Sequence, residues 1–180
     1  MRMKLLPLTL LILALAGCKR NEPPAVTESV FAPRASIREL MEAEVDPAAD
    51  AIWDSVAVIV SASGEEDKQP RTPQEWQAVR RQAVILFEST NLLVMQGRRI
   101  APAGAHYPQE ADPEVLQKRL DANRAPLVGF AEALRNESLK ALEAIDAKDP
   151  ERLLDAGGKI DAACEACHLV YWYPPDLTPN

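Results

Sequence analysis

Near its C-terminus the chain carries Cys164-Glu165-Ala166-Cys167-His168. Any fold that contains these five residues must bring two thiols and an imidazole together within little more than one helical turn. The spacing C-x-x-C-H is that of a c-type haem attachment site. In such a site both thiols add across the vinyl groups of the porphyrin, and the adjacent imidazole ligates the iron. The rest of the chain must then supply an apolar seat beside this segment.

Other chemistries use the same residue types. A structural zinc site wants four ligands, and Cys164, Cys167 and His168 give three. His106, the other histidine of the chain, could complete the set, but there is no second spaced pair. A thiol oxidoreductase places its reactive cysteine at a helix N-terminus inside a β-α-β pattern. Here Cys164 falls some fourteen residues into a helical pattern, beyond the reach of the helix dipole. A small disulfide loop is the remaining alternative.

The first 17 residues read as an export signal. Arg2 and Lys4 precede an apolar core from Leu5 to Leu15, too short for a spanning helix. Leu15-Ala16-Gly17-Cys18 resembles a bacterial lipoprotein cleavage box. The resemblance implies cleavage before Cys18, acylation of that residue and anchoring in a membrane. A plain secreted protein with a cysteine after its signal is the alternative. Of the three cysteines, only Cys164 and Cys167 then remain, both in the pentapeptide. Export agrees with the motif, because c-type haem is attached outside the cytoplasmic membrane.

Removing Arg2 and Lys4 from the 20 basic residues leaves 18 against 27 acidic ones, a formal charge of −9. Such a surface argues against nucleic acid and against electrostatic docking on anionic lipid. Attachment must come from acyl chains, and more than one makes it stable. Residues 18–34 read as the lipidated N-terminus and a Pro-interrupted tether, which fully extended would reach about 50 Å. Lys19 follows Cys18, and family sorting rules then favour the outer membrane over the inner.

Residues 35–180 read as one helical domain: hydrophobic residues make up 47% and aromatics only 5%, and glycine is scarce. The first helix is expected from Ser36, with Glu39 completing a capping box. Its stripe is Ile37, Met41, Val45, Ala48, Ile52, Val56 and Ile59, and Pro47 predicts a kink or a restart capped by Asp46. Residues 61–71 read as a polar loop. Thr72-Pro73-Gln74-Glu75 opens a second helix that Gly97 ends, with Val79, Ala83, Leu86, Phe87, Leu93 and Val94 on its apolar face. After a loop at 98–112, Pro126 divides a helical pattern that would otherwise be far longer than its neighbours. A short helix over 113–123 and a full one over 126–147 result. Asp149-Pro150-Glu151 opens the last helix, which carries Leu153, Gly157, Ile160, Cys164, Cys167 and His168 on one face. Gly157 leaves room there for a close neighbour.

Four helices of comparable length with Cys164, Cys167 and His168 at the end of the last resemble the class II cytochromes c, of which cytochrome c prime is the best-known member. The resemblance covers residues 35–173. It implies an antiparallel four-helix bundle with one covalent haem c near the C-terminus. The segment LMEAEVDPAADAIW also looks like the first helix of a lipoprotein branch of that group. Pro47 and the long connection before residue 113 depart from its better-known members.

In an up-down-up-down bundle the start of the first helix lies beside the end of the last. Met41, on the buried stripe, is then placed to face the iron opposite His168. The low-spin members of the family also draw their methionine from the first helix. Met95 and His106 are the other donors at that end, and an empty sixth site is the remaining case. Arg38, one turn before Met41, could pair with a haem propionate or simply be solvated. Trp53, Trp76 and Trp172 suit the core or its rim.

Nothing resembles a catalytic acid–base pair or a phosphate loop, so an enzyme is not expected. The expected function is a lipid-anchored electron carrier in the bacterial cell envelope, on the periplasmic face, serving a redox partner protein. Self-association as a homodimer is compatible with it. The alternative is a module that binds or senses nitric oxide or carbon monoxide at an open or displaceable sixth site. Haem-dependent peroxide reduction is a third reading, with His106 its sole candidate distal acid–base.

Overall fold

A computed structural model describes residues 32–108 and 110–177. The export signal, Cys18 and most of the tether lie outside the described residues. The described chain is mostly helical and carries one small two-stranded sheet.

The first helix begins where its capping box predicts. The Ser36 hydroxyl accepts from the Glu39 N–H at 3.2 Å, and the Glu39 carboxylate accepts from the Ser36 N–H at 2.8 Å. Helix α1 (Ile37–Leu40) then passes into a π-helical turn, Met41–Val45, and on into α2 (Asp46–Trp53). Asp46 does not restart the helix as a cap: Val45 stands in the cap position, with helical backbone and no side-chain cap. Instead the Asp46 N–H reaches five residues back, to the Met41 carbonyl. Pro47 has no N–H to give, and the wide turn just before it absorbs the interruption.

Ile37, Met41, Val45, Ala48, Ile52 and Val56 of the expected stripe are buried, but Ile59 is exposed. The helix stops at Trp53, and the chain forms β1 (Ala57–Ser61) and β2 (Gly64–Lys68), paired antiparallel from Ala57↔Lys68 to Ser61↔Gly64. Two expectations are corrected here: the described fold is not purely helical, and part of 61–71 is strand rather than loop. Val58-Ile59-Val60 is a β-branched run, and Gly64, at φ +124°, supplies the left-handed residue beside the turn.

Helix α3 (Pro73–Leu93) has the second capping box, with Thr72 accepting from Glu75 N–H at 3.2 Å and Glu75 accepting from Thr72 N–H at 2.8 Å. It ends at Leu93, four residues before Gly97, which turns the chain afterwards at φ +76°. The chain turns back there: the Met95 N–H donates to the Leu92 carbonyl at 3.3 Å and the Arg98 N–H to the Met95 carbonyl at 3.4 Å. Two cations add to these bonds, since buried Arg98 donates its Nε to the Leu92 carbonyl at 2.7 Å and Arg124 donates to the Met95 carbonyl at 2.6 Å.

Helices α4 (Pro113–Ala122), α5 (Ala125–Ala147) and α6 (Pro150–Tyr171) follow the expected division within a residue or two at each end. Asp149 caps α6 by accepting from the Arg152 N–H at 3.0 Å. Helix α5 packs on α3 and α6, and α2 packs on α3 and α6. Ile52, Leu86, Leu127, Leu153 and Ile160 are fully buried among them.

Gly157 has the close neighbour its spacing suggested. Trp53 Nε1 donates to the Gly157 carbonyl at 2.9 Å, and a Cβ on residue 157 would stand 3.2 Å from Trp53 Cδ1. Gly157→Val should therefore push α2 off α6 and lower stability by about 1–3 kcal/mol, read as a lower urea midpoint.

Candidate functional site

The last two turns of α6 carry the motif. Upstream, Leu153 and Ile160 fix the helix in the core; at its end Tyr171 is buried, edge-on to Phe130 at 6.4 Å between ring centres. Between these anchors Cys164, Cys167 and His168 are half-buried. Tyr171 repeats at i+4 from Cys167 and i+3 from His168, a signal that helical spacing could have disclosed.

Two apolar hollows flank this segment, and both are walled by Leu127, Cys167 and His168. One reaches toward Ile37, Ala111 and Leu116. The other is lined by Met41, Val45, Phe130 and Cys164. Their free space is small, about 30 Å³ and about 20 Å³. Met41 is 7% exposed. It is thus enclosed in the same hollow as both cysteines and His168.

The other two donors stand elsewhere. Met95 Sδ accepts from the Arg98 guanidinium at 3.5 Å and lines neither hollow. His106 is exposed in the loop and also lines neither.

Burial pushes the Cys164 thiol up to about 11, with Asp46 and Asp161 adding to it. Burial, and Cys164 after it, pushes the Cys167 thiol up to about 12. Both thiols are therefore protonated at neutral pH, which makes them poor nucleophiles for disulfide exchange. Asp46 comes within electrostatic reach of His168 from α2. Partial burial raises its carboxyl although part of the residue is open to solvent; His168 opposes that rise, and Asp50 and Glu42 reinforce it. Among the described residues no three His, Cys, Asp or Glu side chains converge as the ligand set of an ion.

The rim is aromatic and charged. The His168 ring lies 5.5 Å from that of Trp172 and 5.9 Å from that of Tyr173. Tyr173 donates its hydroxyl to Glu165, which with partial burial pushes the phenol up to about 12. Arg38 is not a free surface charge. Its guanidinium lies 3.4 Å over the Tyr107 ring and 4.5 Å over Trp172, and it is held by Glu42 at 2.9 Å and Glu110 at 2.5 Å. Tyr107 and Glu110 were not visible as site residues in the sequence, since they belong to a loop with no periodicity.

The chain matches no family model, no curated protein and no solved structure.

Proposed function

We propose that this chain is a c-type cytochrome, an electron carrier and not an enzyme, folded as a class II-like antiparallel four-helix bundle. The packing of α2, α3, α5 and α6 supports the bundle, because each of the four touches two of the others and the contacts close a ring. The observation that carries the function is the enclosure of Met41, Cys164, Cys167 and His168 around one apolar hollow.

The residues present fit a covalent haem by their chemistry. Two protonated thiols three residues apart suit thioether formation, in which each S–H adds across a vinyl double bond and nothing is oxidised. An imidazole and a thioether are the iron donors of a low-spin carrier. The fit rests on these donors and their apolar walls, since the hollows are far smaller than a porphyrin. Haem bound there would supply a one-electron ferric–ferrous couple.

The chain's own residues would do the rest. Cys164 and Cys167 would fix the group to α6, and His168 and Met41 would be the ligands of its iron. Leu127, Phe130 and Val45 would keep water from the iron. The half-exposure of Cys164 and Cys167 favours a haem edge within reach of a redox partner protein. The sequence of the first 18 residues supports anchoring through Cys18 to a membrane of the bacterial envelope, the outer one by Lys19, on its periplasmic face.

An absorption spectrum of the reduced protein, with and without carbon monoxide, tests this reading. The expected result is a low-spin c-type spectrum that carbon monoxide leaves unchanged. Free binding of carbon monoxide by the wild type would replace the carrier with a gas-binding module.

A further inference from the structure

The hairpin stands apart from the haem chemistry. Strand β1 is Ala57-Val58-Ile59-Val60-Ser61, without a charge, and three of its side chains face solvent: Val58 is 50% exposed, Ile59 45% and Val60 78%. Strand β2 is Gly64-Glu65-Glu66-Asp67-Lys68. The sheet has only these two strands among the described residues, so the outer edge of β1 has no strand partner there. An isolated two-stranded hairpin is marginal in water, and an open apolar edge is a template for another strand. Charge guards β2 against this. Nothing guards β1.

We propose that β1 pairs with β1 of a second copy of this chain, antiparallel about a two-fold axis at Ile59, forming a four-stranded sheet across a homodimer.

The strand is self-complementary about that residue. Reversed on itself it sets Ile59 opposite Ile59, Val58 opposite Val60 and Ala57 opposite Ser61, so that β-branched side chains meet across the strands. Two-fold pairing also satisfies both open edges at once and closes the assembly.

Charge selects this pairing over the others. In the order β2–β1–β1–β2 the two acidic strands stand three strand spacings apart, about 14 Å. That exceeds the screening length of about 8 Å at physiological salt. Pairing through β2 would instead set Glu65, Glu66 and Asp67 beside their own copies at one strand spacing. A neutral strand is also the part of so acidic a chain that a second copy can approach without repulsion. Beside the strand, Val56, Val58 and Leu154 form one side of a groove whose other lining includes Asp67, Lys68 and Glu151.

The test uses the full chain in mild detergent and does not depend on haem loading. Sedimentation equilibrium from low to hundreds of micromolar should show a reversible dimer. Ile59→Lys sets like charges opposite each other on the axis and should weaken it by roughly tenfold, with the helical circular dichroism unchanged. Ile59→Cys should form a disulfide-linked dimer under mild oxidation well beyond the wild type. Glu66→Cys, level with Ile59 on the outer strand, should not. A monomer at every concentration, a dimer indifferent to Ile59→Lys, or Ile59→Cys linking no better than wild type or Glu66→Cys would each overturn the proposal. A different protein captured on β1 while the chain alone stays monomeric would overturn it too.

Discussion

Met41→Ala is expected to change the haem spectrum completely. The oxidised wild type should show the weak far-red band of methionine-to-iron charge transfer, and the variant should lose it. The iron should turn high-spin, and the reduced protein should bind carbon monoxide readily. The midpoint potential should fall, because a thioether favours the ferrous state. Alanine here also empties a packed site, since Met41 is 7% exposed, and a buried methionine cut to alanine costs about 2–5 kcal/mol. Met41→Leu separates the two effects: it keeps the volume, costs less than about 1.5 kcal/mol, and should still lose the band. Met95→Ala and His106→Ala should leave the spectrum nearly alone, since one thioether is turned to Arg98 and the other side chain to solvent. A band that survives Met41→Leu would show that another group holds the sixth position.

The second large effect is all-or-none. Cys164→Ala combined with Cys167→Ala should abolish the haem-linked peroxidase staining that denatured wild type keeps on a gel. Either single variant should retain a weaker stain through the remaining thioether. The wild type must come from a host with the attachment machinery, and an unstained wild type from such a host would end the haem reading. Alanine costs little stability at these positions, which are only half-buried on an otherwise well-anchored helix. Loss of stain would therefore report attachment rather than unfolding, and helical circular dichroism checks this directly.

Features whose causes are local were legible in the sequence. The two capping boxes, at Ser36 and Thr72, need only residues three apart, and both form with the expected bonds. The division at Pro126 and the start at Asp149 are local in the same sense. Met41 came from topology plus a stripe, and it lies in the hollow with the motif. The hairpin was misread for a definite reason. Val56 and Ile59 continue the three-and-four spacing of the helix before them, so periodicity alone could not see that the helix had stopped at Trp53.

Pairings distant in sequence were not legible. The Ile37 N–H donates to the Arg99 carbonyl at 2.8 Å and the Arg38 N–H to the Ile100 carbonyl at 3.0 Å, tying the first turn of α1 to the loop after α3. That loop then delivers Ile100 and Ala101 to the core and Tyr107 and Glu110 to Arg38. No spacing rule connects residue 37 to residue 99. The bond from Arg124 to the Met95 carbonyl just past the end of α3 is of the same kind.

The wide turn at Met41–Val45 has a bearing on which side chain faces the hollow beside the motif. A helix that takes up one surplus residue in a wide turn keeps the facing of the residues on either side of it, each residue otherwise being worth about 100° of rotation. Everything before the turn is thereby held in register with α2, which the core holds still through Ala48 and Ile52. Wound to ordinary pitch without losing a residue, the same sequence would bring Glu42 toward the direction Met41 now takes. A carboxylate would replace the sulfur without any change at residue 41 itself. Deleting one residue between Met41 and Asp46 would instead straighten the turn and leave Met41 where it is, so the surplus residue and the wide turn cancel one another.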